Sequence, residues 1–343
     1  MQLVVIGAGL IGGSFAIGAR RRKLFDVVLG IEPDEERARE ALALGLVDRL
    51  VDAVPADADA VLIAGPGETI APWVVRLKDH PAVVFDTGSI KAPIIEGVRR
   101  QCAALPARFV PCHPIAGKEK GGPGAADGDL FVGQQVILTP QPETDLAACD
   151  AVVGWWQTLG ATVSRLDAGV HDEIYAVTSH LPHLLAFAYL QQVEDRHLDH
   201  TGGGFRDFSR IGGADPDMWA PIFDMNRAAL LPALVRLEQD LATVRGMIEG
   251  GDVDALKTFI ARARARRRAF EHGSEPGDHP RRPQRLMQRH PRGAAGRAPG
   301  LAPAGPRRFV TARCGGCTGA RDTAGRWGCP GEYGGRAGYR LRR

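Results

Sequence analysis

Short apolar runs alternate with helical patterns over the first half of the chain. The runs lie at residues 3–6, 26–32, 58–66, 82–89 and 108–114. Strands that are apolar throughout and separated by helices are typical of a parallel sheet covered by helices on both sides. Residues 134–140 and 161–167, with a helix at 143–159 between them, are predicted to complete the same layer.

The strand pattern stops after Asp167, and the remaining apolar positions follow helical spacing. Helices are predicted at residues 167–193, 217–249 and 252–270, with a glycine-rich interruption at 200–213. Apolar segments such as residues 228–244 exceed what about 100 residues can bury alone, which favours a homodimer. We therefore predict an α/β domain with a mostly parallel sheet over residues 1–166, followed by an all-helical dimerisation domain over residues 167–272.

The composition changes abruptly after the last predicted helix. From Gly273 onward the chain contains 15 arginines, 15 glycines and no lysine, without apolar periodicity. Such a segment cannot bury a core, so residues 273–343 are predicted to be disordered or to derive from a frameshift. Cys314, Cys317 and Cys329 lack a fourth ligand at useful spacing, so no metal site is expected.

Charge and cysteine usage narrow the compartment and the partners. Residues 1–272 hold 28 basic and 36 acidic side chains, a formal net charge of −8, which does not favour a nucleic-acid partner. Cys102, Cys112 and Cys149 show no disulfide spacing, and no apolar run reaches membrane-spanning length. These features predict a cytoplasmic protein without a membrane partner.

The sequence GAGLIG, which begins at Gly7, follows the first strand and opens a helix, as in a dinucleotide-binding turn. Gly7 permits the tight turn, Gly9 lets a pyrophosphate approach the backbone, and Gly12 allows the helix to pack closely on the strand. Leu10 and Ile11 belong to the first helical turn, whose free N–H groups and partial positive charge favour phosphate. The first domain is therefore predicted to have the Rossmann fold.

An acidic residue selects the cofactor. Glu32 lies 20 residues after Gly12, at the end of the second strand. A carboxylate there accepts hydrogen bonds from ribose hydroxyls and repels a 2′-phosphate, so NAD is predicted rather than NADP. Pro66, in the turn that ends the third strand, is also predicted to contact the cofactor.

Two polar residues follow later strands, at the edge where ligands of a Rossmann sheet bind. Ser89 lies in DTGSIK (86–91) and His113 in PCHPIAGKEKGG (111–122). The prolines and glycines of the second segment predict a rigid loop, neither helix nor strand, that exposes His113. A neutral histidine beside a substrate hydroxyl can take its proton as a hydride leaves the carbon, so His113 and Ser89 are the predicted catalytic residues.

Five motifs in this order resemble the prephenate dehydrogenase family of tyrosine biosynthesis, over residues 1–270. They are GAGLIGGS, DTGSIK, HPIAGKEKGG, HDEIYAVTSHLPH and GGGFRDFSRIGGADPDMW. The resemblance implies NAD-dependent oxidative decarboxylation of prephenate to 4-hydroxyphenylpyruvate and carbon dioxide, driven by aromatisation of the ring. It also implies that His113 accepts the hydroxyl proton while Ser89 hydrogen-bonds the same region.

The resemblance assigns further residues to the substrate pocket. Arg210 matches a carboxylate-binding arginine, and its planar fork suits that group. From its position three residues earlier, Asp207 is expected to orient this arginine or to pair in the neighbourhood of Glu119. Glu119 sits at the pocket mouth in the family, with a solvated charge between two lysines as the alternative. Trp219 lines the pocket in relatives, with core packing as the rival interpretation.

Two histidines of the helical part, His171 and His183, match substrate-contacting residues of the family. Pro182 removes a hydrogen bond to the Thr178 carbonyl and is predicted to bend the helix, which would turn both histidines inward. His180 is predicted to be packed rather than functional.

Several alternatives stay open. Arogenate differs from prephenate only in its amino acid side chain, so an arogenate or dual-substrate cyclohexadienyl dehydrogenase is the main alternative, although His183 as a partner for a side-chain carboxylate favours prephenate. A β-hydroxyacid dehydrogenase is disfavoured, because those enzymes resemble each other in a catalytic lysine of the helical domain. Here Lys257, near the end of that domain, is the only lysine after residue 120. A non-catalytic NAD sensor, nucleic-acid binding by the arginine-rich tail and feedback inhibition by tyrosine also stay open.

Overall fold

A computed structural model of the protein describes residues 1–118 and 120–273. Its larger sheet is entirely parallel and consists of β1 (Gln2–Ile6), β2 (Val27–Ile31), β3 (Arg49–Leu50), β4 (Ala60–Ile63), β5 (Val83–Asp86) and β6 (Phe109–Val110). The strand order is β3-β2-β1-β4-β5-β6. The order reverses between β1 and β4, and a ligand of such a sheet binds outside the carboxyl ends of these strands. The predicted fold class is confirmed.

Helices cover both faces of this sheet. They are α1 (Leu10–Arg21), α2 (Glu35–Ala43), α3 (Gly67–Arg76), α4 (Ala92–Arg99) and, later in the chain, α5 (Leu146–Thr158). On one face, the ring of Phe15 packs edge-on against Phe85 and Trp156, with centroids 5.3 and 4.9 Å apart. On the other face, Ile70 of α3 and Ile94 of α4 pack into a second buried cluster. Burial on both faces explains why the strands are apolar throughout.

The remaining strands form a second, separate sheet rather than the extension of the first that the sequence predicted. β7 (Cys112–Ile115) pairs antiparallel with β8 (Gln135–Leu138), which pairs parallel with β9 (Thr162–Arg165). The single strand predicted at 108–114 is divided at Pro111, because proline has no N–H with which to continue a ladder.

The prediction that residues 111–122 contain no strand was wrong for β7. This strand lies at the edge of its sheet, where Pro114 is tolerated because an edge strand uses only one side of its backbone. His113 pairs with Ile137 of β8 and is 9% exposed. It is therefore buried in a strand rather than displayed on a loop.

After β9 the described chain is helical. Its helices are α6 (Ala168–Tyr175), α7 (Leu181–Leu190), α8 (Asp195–Leu198), α9 (Gly203–Ser209), α10 (Pro216–Met225), α11 (Arg227–Glu249) and α12 (Val253–Gly273). The helix predicted at 217–249 is two helices, which Asn226 separates. The glycine-rich stretch 200–213 contains α9 and a 3-10 turn, Arg210–Gly213.

A π-turn, Ala176–His180, joins α6 to α7. The amide of Leu181 donates to a carbonyl five residues earlier, instead of four as in an α-helix. Along an ideal α-helix His171 and His183 would lie about 120° apart, whereas one inserted residue brings them to within about 20°. The π-turn, rather than a bend at Pro182, therefore sets the relative directions of His171 and His183.

The helical part exposes several large apolar side chains. They include Leu231, Val235, Leu241, Ile248 and Ile260. None of the helices within residues 1–118 and 120–273 has the length and apolar character needed to cross a membrane. Residues 274–343, most of the predicted tail, lie outside the described residues.

A buried ion pair connects the two sheets. The side chains of Lys91 and Asp86 are both 0% exposed, and the Lys91 ammonium contacts an Asp86 carboxylate oxygen. The same ammonium donates to the carbonyl oxygen of Cys112 at 2.6 Å, and the other Asp86 oxygen accepts from the Cys112 amide at 2.9 Å. These contacts fix the end of β5 to β7, the strand that carries His113.

Replacing Lys91 with Met should lower the free energy of unfolding by about 3–5 kcal/mol, because Asp86 would keep an uncompensated buried charge. Urea unfolding measures this loss. Lys78→Met breaks an exposed pair with Asp79 and, as the control, should cost less than about 1 kcal/mol. The double variant Asp86→Asn/Lys91→Met should lose less than Lys91→Met alone. An equal or larger loss in the double variant would contradict the assignment of the effect to the unpaired charge.

Candidate active site

The glycine turn after β1 leaves room for a ligand beside its backbone. Gly7 has a φ of +90°, and a Cβ there would lie 2.8 Å from the carbonyl oxygen of Ala64. A Cβ on Gly12 would lie 2.1 Å from the carbonyl oxygen of Gly7. A Cβ on Gly9 would meet no atom of the described chain within 4 Å. Only glycine fits at the first two positions, and the third is open to a ligand.

The residues around this turn fit a dinucleotide. Helix α1 begins at Leu10, and no described side chain caps it. The amides of Leu10 and Ile11 lie in its first turn, where helical carbonyls cannot accept from them and a phosphate can. The carboxylate of Glu32, just after β2, accepts from the amides of Ala8 at 3.2 Å and Asp34 at 3.3 Å. It therefore lies beside the turn, and its contact with a ribose stays a prediction.

His113 is the first of three side chains joined by hydrogen bonds. Its Nδ1 lies 2.9 Å from Nε2 of His171, and Nδ1 of His171 lies 2.8 Å from Oδ1 of Asp172. A carboxylate only accepts, so His171 donates through Nδ1 and its Nε2 accepts from Nδ1 of His113. The other nitrogen of His113, Nε2, then carries a lone pair and can take a proton.

His171 lies behind His113 rather than on the wall of a pocket. It is completely buried, and both of its ring nitrogens are bonded to protein groups. The substrate contact predicted for His171 is therefore replaced by a contact with His113. A histidine in this position fixes the tautomer and the ring plane of its neighbour.

Asp172 is held by backbone amides of the α/β part. Its Oδ1 accepts from the amide of Lys91 and its Oδ2 from the amide of Ala92, each at 2.8 Å. These amides stand at the start of α4, where the helix end stabilises a negative charge. The carboxylate that orients His171 is thus itself fixed by an element that follows β5.

Burial lowers the pKa of His113 well below its ordinary value, and the neighbouring His171, Lys91 and His180 lower it further. The imidazole is therefore neutral at pH 7 and becomes protonated only in acid. A neutral imidazole with an available Nε2 is the form that a general base requires.

Tyr175 covers the contact between the two histidines. Its ring centroid lies 4.8 Å from that of His113 and 4.6 Å from that of His171. Tyr175 and His171 are four residues apart on α6, so their side chains share one face. Burial raises the pKa of Tyr175 to about 12, so the phenol stays neutral. The ring shields the bond between the imidazoles from water on this side.

Asn226, between α10 and α11, fixes a third histidine. Its Nδ2 donates to Nδ1 of His180 at 2.9 Å and to the carbonyl oxygen of Asp172 at 3.0 Å. His180 is buried, and burial lowers its pKa to about 4. His180 is thus a packed, neutral histidine.

The structure brings three of the predicted pocket residues together, His183, Trp219 and Arg210. The rings of His183 and Trp219 are stacked, with centroids 3.6 Å apart and planes 21° from parallel. Trp219 is buried, and its Nε1 has no hydrogen-bond partner among the described residues. Burial lowers the pKa of His183, a bond to the Ser179 carbonyl raises it, and the charge of the exposed Arg210 lowers it further.

The other predicted residues occupy separate places. Ser89 is half-buried in the bend between β5 and α4, and Pro66 is exposed directly before α3. Asp207 is exposed on α9, one turn before Arg210. Glu119 lies outside the described residues. No group of three or more side chains able to hold a metal ion occurs within residues 1–118 and 120–273.

Five residues of the site were not predicted from the sequence. They are Asp86, Lys91, Asp172, Tyr175 and Asn226. The first four stand inside the motifs DTGSIK and HDEIYAVTSHLPH, each within four residues of a predicted site residue. A polar residue inside a motif was therefore the available indication. Their partners are distant along the chain, 81 positions for the bond between Lys91 and Asp172, so spacing alone could not pair them.

Replacing Tyr175 with Ser should raise the pKa of His113 toward its ordinary value, because water would reach the imidazole pair and weaken the desolvation that lowers it. The imidazole resonances of His113, followed by NMR against pH, measure this pKa. Tyr175→Phe keeps the ring and should leave the pKa as in the unchanged protein. If the Ser variant titrates like the unchanged protein, Tyr175 does not shield this pair.

Comparison with known proteins gives matches over most of the described chain. Two family models match: "Prephenate dehydrogenase, nucleotide-binding domain" at residues 15–165 and "Prephenate dehydrogenase, dimerization domain" at residues 167–262. A cyclohexadienyl dehydrogenase of Zymomonas mobilis is 32% identical over 79% of this chain and 96% of the relative. A prephenate dehydrogenase of Bacillus subtilis is 29% identical over 76% of this chain and 74% of the relative.

Solved structures show the same similarity. Prephenate dehydrogenase from Aquifex aeolicus, in complex with hydroxyphenyl propionate and NAD+, superposes with a TM-score of 0.72 at 30% identity, over 79% of this chain and 98% of that one. Arogenate dehydrogenase of Synechocystis superposes with a TM-score of 0.66 at 27% identity, over 79% of this chain and 100% of that one. The chain therefore belongs to the prephenate dehydrogenase family of NAD-dependent oxidoreductases.

Proposed function

We propose that this protein catalyses the NAD-dependent oxidative decarboxylation of prephenate to 4-hydroxyphenylpyruvate and carbon dioxide. The observation that carries the proposal is the series of bonds from Asp172 through His171 to His113. It leaves a lone pair on Nε2 of a neutral imidazole that is otherwise enclosed by protein. Steady-state reduction of NAD in the presence of prephenate tests it, and an NAD sensor without catalysis would give no reduction.

The reaction requires a hydride acceptor and a proton acceptor. NAD supplies the first when it is bound at the glycine turn. His113 takes the proton of the ring hydroxyl at Nε2, and the positive charge so created is stabilised through His171 by the carboxylate of Asp172. Loss of carbon dioxide from the opposite ring position makes the ring aromatic. The protein therefore needs only to hold the ring and remove one proton.

The remaining predicted residues hold the substrate. Arg210 binds a carboxylate with its planar fork, and Trp219 offers an aromatic wall. Ser89, in the bend after β5, hydrogen-bonds the region of the ring hydroxyl. Glu119 keeps the role that the family resemblance gives it, control of the pocket mouth, and Asp207, one turn before Arg210, orients this arginine.

A second candidate is dual use of prephenate and arogenate. A cyclohexadienyl dehydrogenase is among the relatives at 32% identity, and an arogenate dehydrogenase shares the fold. Assays with both substrates and with both NAD and NADP separate the candidates. Inhibition by tyrosine can be measured in the same assay.

We further propose a homodimer formed through the helical part. The family model that matches residues 167–262 describes a dimerization domain, and α11 and α12 expose apolar side chains such as Leu231, Ile248 and Ile260. We also propose that the two domains span residues 1–166 and 167–272, and that the protein is located in the cytoplasm.

Replacing Glu32 with Ser should reduce the preference for NAD over NADP, because the carboxylate that repels a 2′-phosphate is removed. The measurement is the ratio of kcat/KM for the two cofactors. Glu35→Ser, at an exposed position on α2 three residues later, is the control and should keep the ratio. An unchanged ratio in the Glu32 variant would show that another residue selects the cofactor.

His113→Asn should lower kcat by about 10²–10⁴ and leave KM for prephenate near its original value, because the proton acceptor is lost while binding groups remain. The unchanged enzyme should lose activity only well below pH 6.5, since its neutral imidazole is the active form.

Arg210→Ala should instead raise KM about tenfold to a hundredfold, with Arg206→Ala as the control that leaves it unchanged. Exchanged effects on kcat and KM would mean that the two roles are wrongly assigned.

A further inference from the structure

Asn226 is the single asparagine of the amino-acid sequence. It stands directly before α11, where an asparagine ordinarily accepts a hydrogen bond from an amide of its own helix. Within the described chain its side chain makes no such bond, and the residue is 2% exposed. A residue type that the sequence otherwise does without is thus used at one buried position, and the helix forgoes its cap there. Such a local conflict indicates that the amide serves another purpose.

The contacts of Asn226 fix both the direction of its amide and the tautomer of His180. Its Nδ2 lies 3.0 Å from the carbonyl oxygen of Asp172, which only accepts, and 2.9 Å from Nδ1 of His180. The two hydrogens of Nδ2 therefore serve these two contacts, and Nδ1 of His180 must accept. A neutral imidazole has one N–H hydrogen, so His180 carries it on Nε2. An imidazolium carries hydrogens on both nitrogens and could not accept from Asn226.

The same two contacts stand on either side of the π-turn. Asp172 belongs to α6, before the turn, and His180 is the last residue of the turn. A π-turn holds one residue more than an α-helical turn and is rare, so a contact that joins its two ends favours it over a regular helix. The Asp172 carbonyl also accepts from the amide of Ala176. Asn226 therefore uses the second lone pair of this oxygen and leaves the hydrogen bonds of α6 intact.

Both ends of the turn act on His113. On one side, Asp172 orients His171, whose Nε2 accepts from Nδ1 of His113. On the other side, a positive charge on His180 would lower the pKa of His113 further, and a weaker base takes a proton less readily. The contacts of Asn226 therefore bear on the direction of the base and on its proton affinity.

The surroundings of His180 act mostly in one direction. Burial lowers its pKa to about 4, with His171 and His183 acting in the same direction and Asp172 against it, while Trp219 presents a ring edge-on, 6.2 Å away between centroids. The bond from Asn226 adds to the burial, because only a neutral ring can accept it.

We propose that Asn226 is a positioning residue for the reaction: it holds the π-turn in register and keeps His180 neutral with its hydrogen on Nε2, so that His113 acts as a correctly directed base. The proposal rests on the proposed function for the role of His113. The state of His180, in contrast, can be measured without any substrate.

The test replaces Asn226 with Asp in the full chain and follows the ring-nitrogen resonances of His180 by NMR. The carboxylate has the same shape but only accepts, so Nδ1 of His180 should carry a hydrogen in the variant, whereas Nε2 alone carries one in the unchanged protein. The carboxylate also faces the Asp172 carbonyl without a hydrogen between them. We expect kcat to fall about tenfold to a hundredfold, because small displacements of a reacting group cost this much. Gln239→Glu makes the same change from amide to acid at an exposed position of α11, and should alter neither measurement.

Asn226→Leu is the second variant, for the case in which the acid does not allow folding. Leucine has a similar volume and offers no donor, so His180 should no longer be held in one tautomer, and kcat should fall within the same range. The proposal is overturned if His180 keeps its hydrogen on Nε2 alone in both folded variants, or if their kcat stays within about twofold of the unchanged enzyme. If His180 changes as expected but the unchanged enzyme does not reduce NAD with prephenate, the proposed function fails, whereas the control of His180 by Asn226 stands.

Discussion

The ion pair between Lys91 and Asp86 is the contact on which the site depends. Both charges are removed from water, which costs several kcal/mol for each ion unless every polar atom is satisfied. Here Asp86 accepts from the Lys91 ammonium and from the amides of Gly88 and Cys112, while the ammonium also donates to the Cys112 carbonyl. Such a pair adds little net stability, but it allows only one arrangement of the strands that it joins.

Lys91 holds both ends of the bond between His113 and His171. Through its side chain it fixes Cys112, the residue before His113. Through its backbone amide it fixes Asp172, which orients His171. A shift of Lys91 would therefore move both imidazoles, which lie 2.9 Å apart. The pair of imidazoles is built across the α/β and helical parts and needs both.

The sequence predicted the periodic features and missed the distant pairings. The parallel sheet, the glycine turn and the change to helices after Asp167 follow from local patterns, because each is set by residues a few positions apart. The second sheet was missed because an apolar run does not show which strand it will join. His113 was placed on a loop because Pro114 was treated as a strand breaker, which an edge strand is able to accommodate.

For the site residues, too, the sequence indicated what local patterns show and missed what distant contacts decide. His113, His183 and Trp219 stood in motifs and could be named, but the sequence could not show which ring nitrogen each histidine presents. That choice is made by partners far along the chain or by a backbone carbonyl one turn away. The π-turn had no sequence pattern that we recognised, although it is what brings His171 and His183 to one face of the helix.

The electrostatics of the site follow from burial. Desolvation is the largest influence on the pKa of His113, His180 and His183, and it keeps all three neutral at pH 7. Two cations of the described chain add to this effect, Lys91 at His113 and Arg210 at His183. Each favours the neutral form of the imidazole beside it, so burial and charge act in the same direction. At His183 the carbonyl of Ser179 and the ring of Trp219 also fix the imidazole, so its protonation follows from burial and charge while its direction follows from these two contacts.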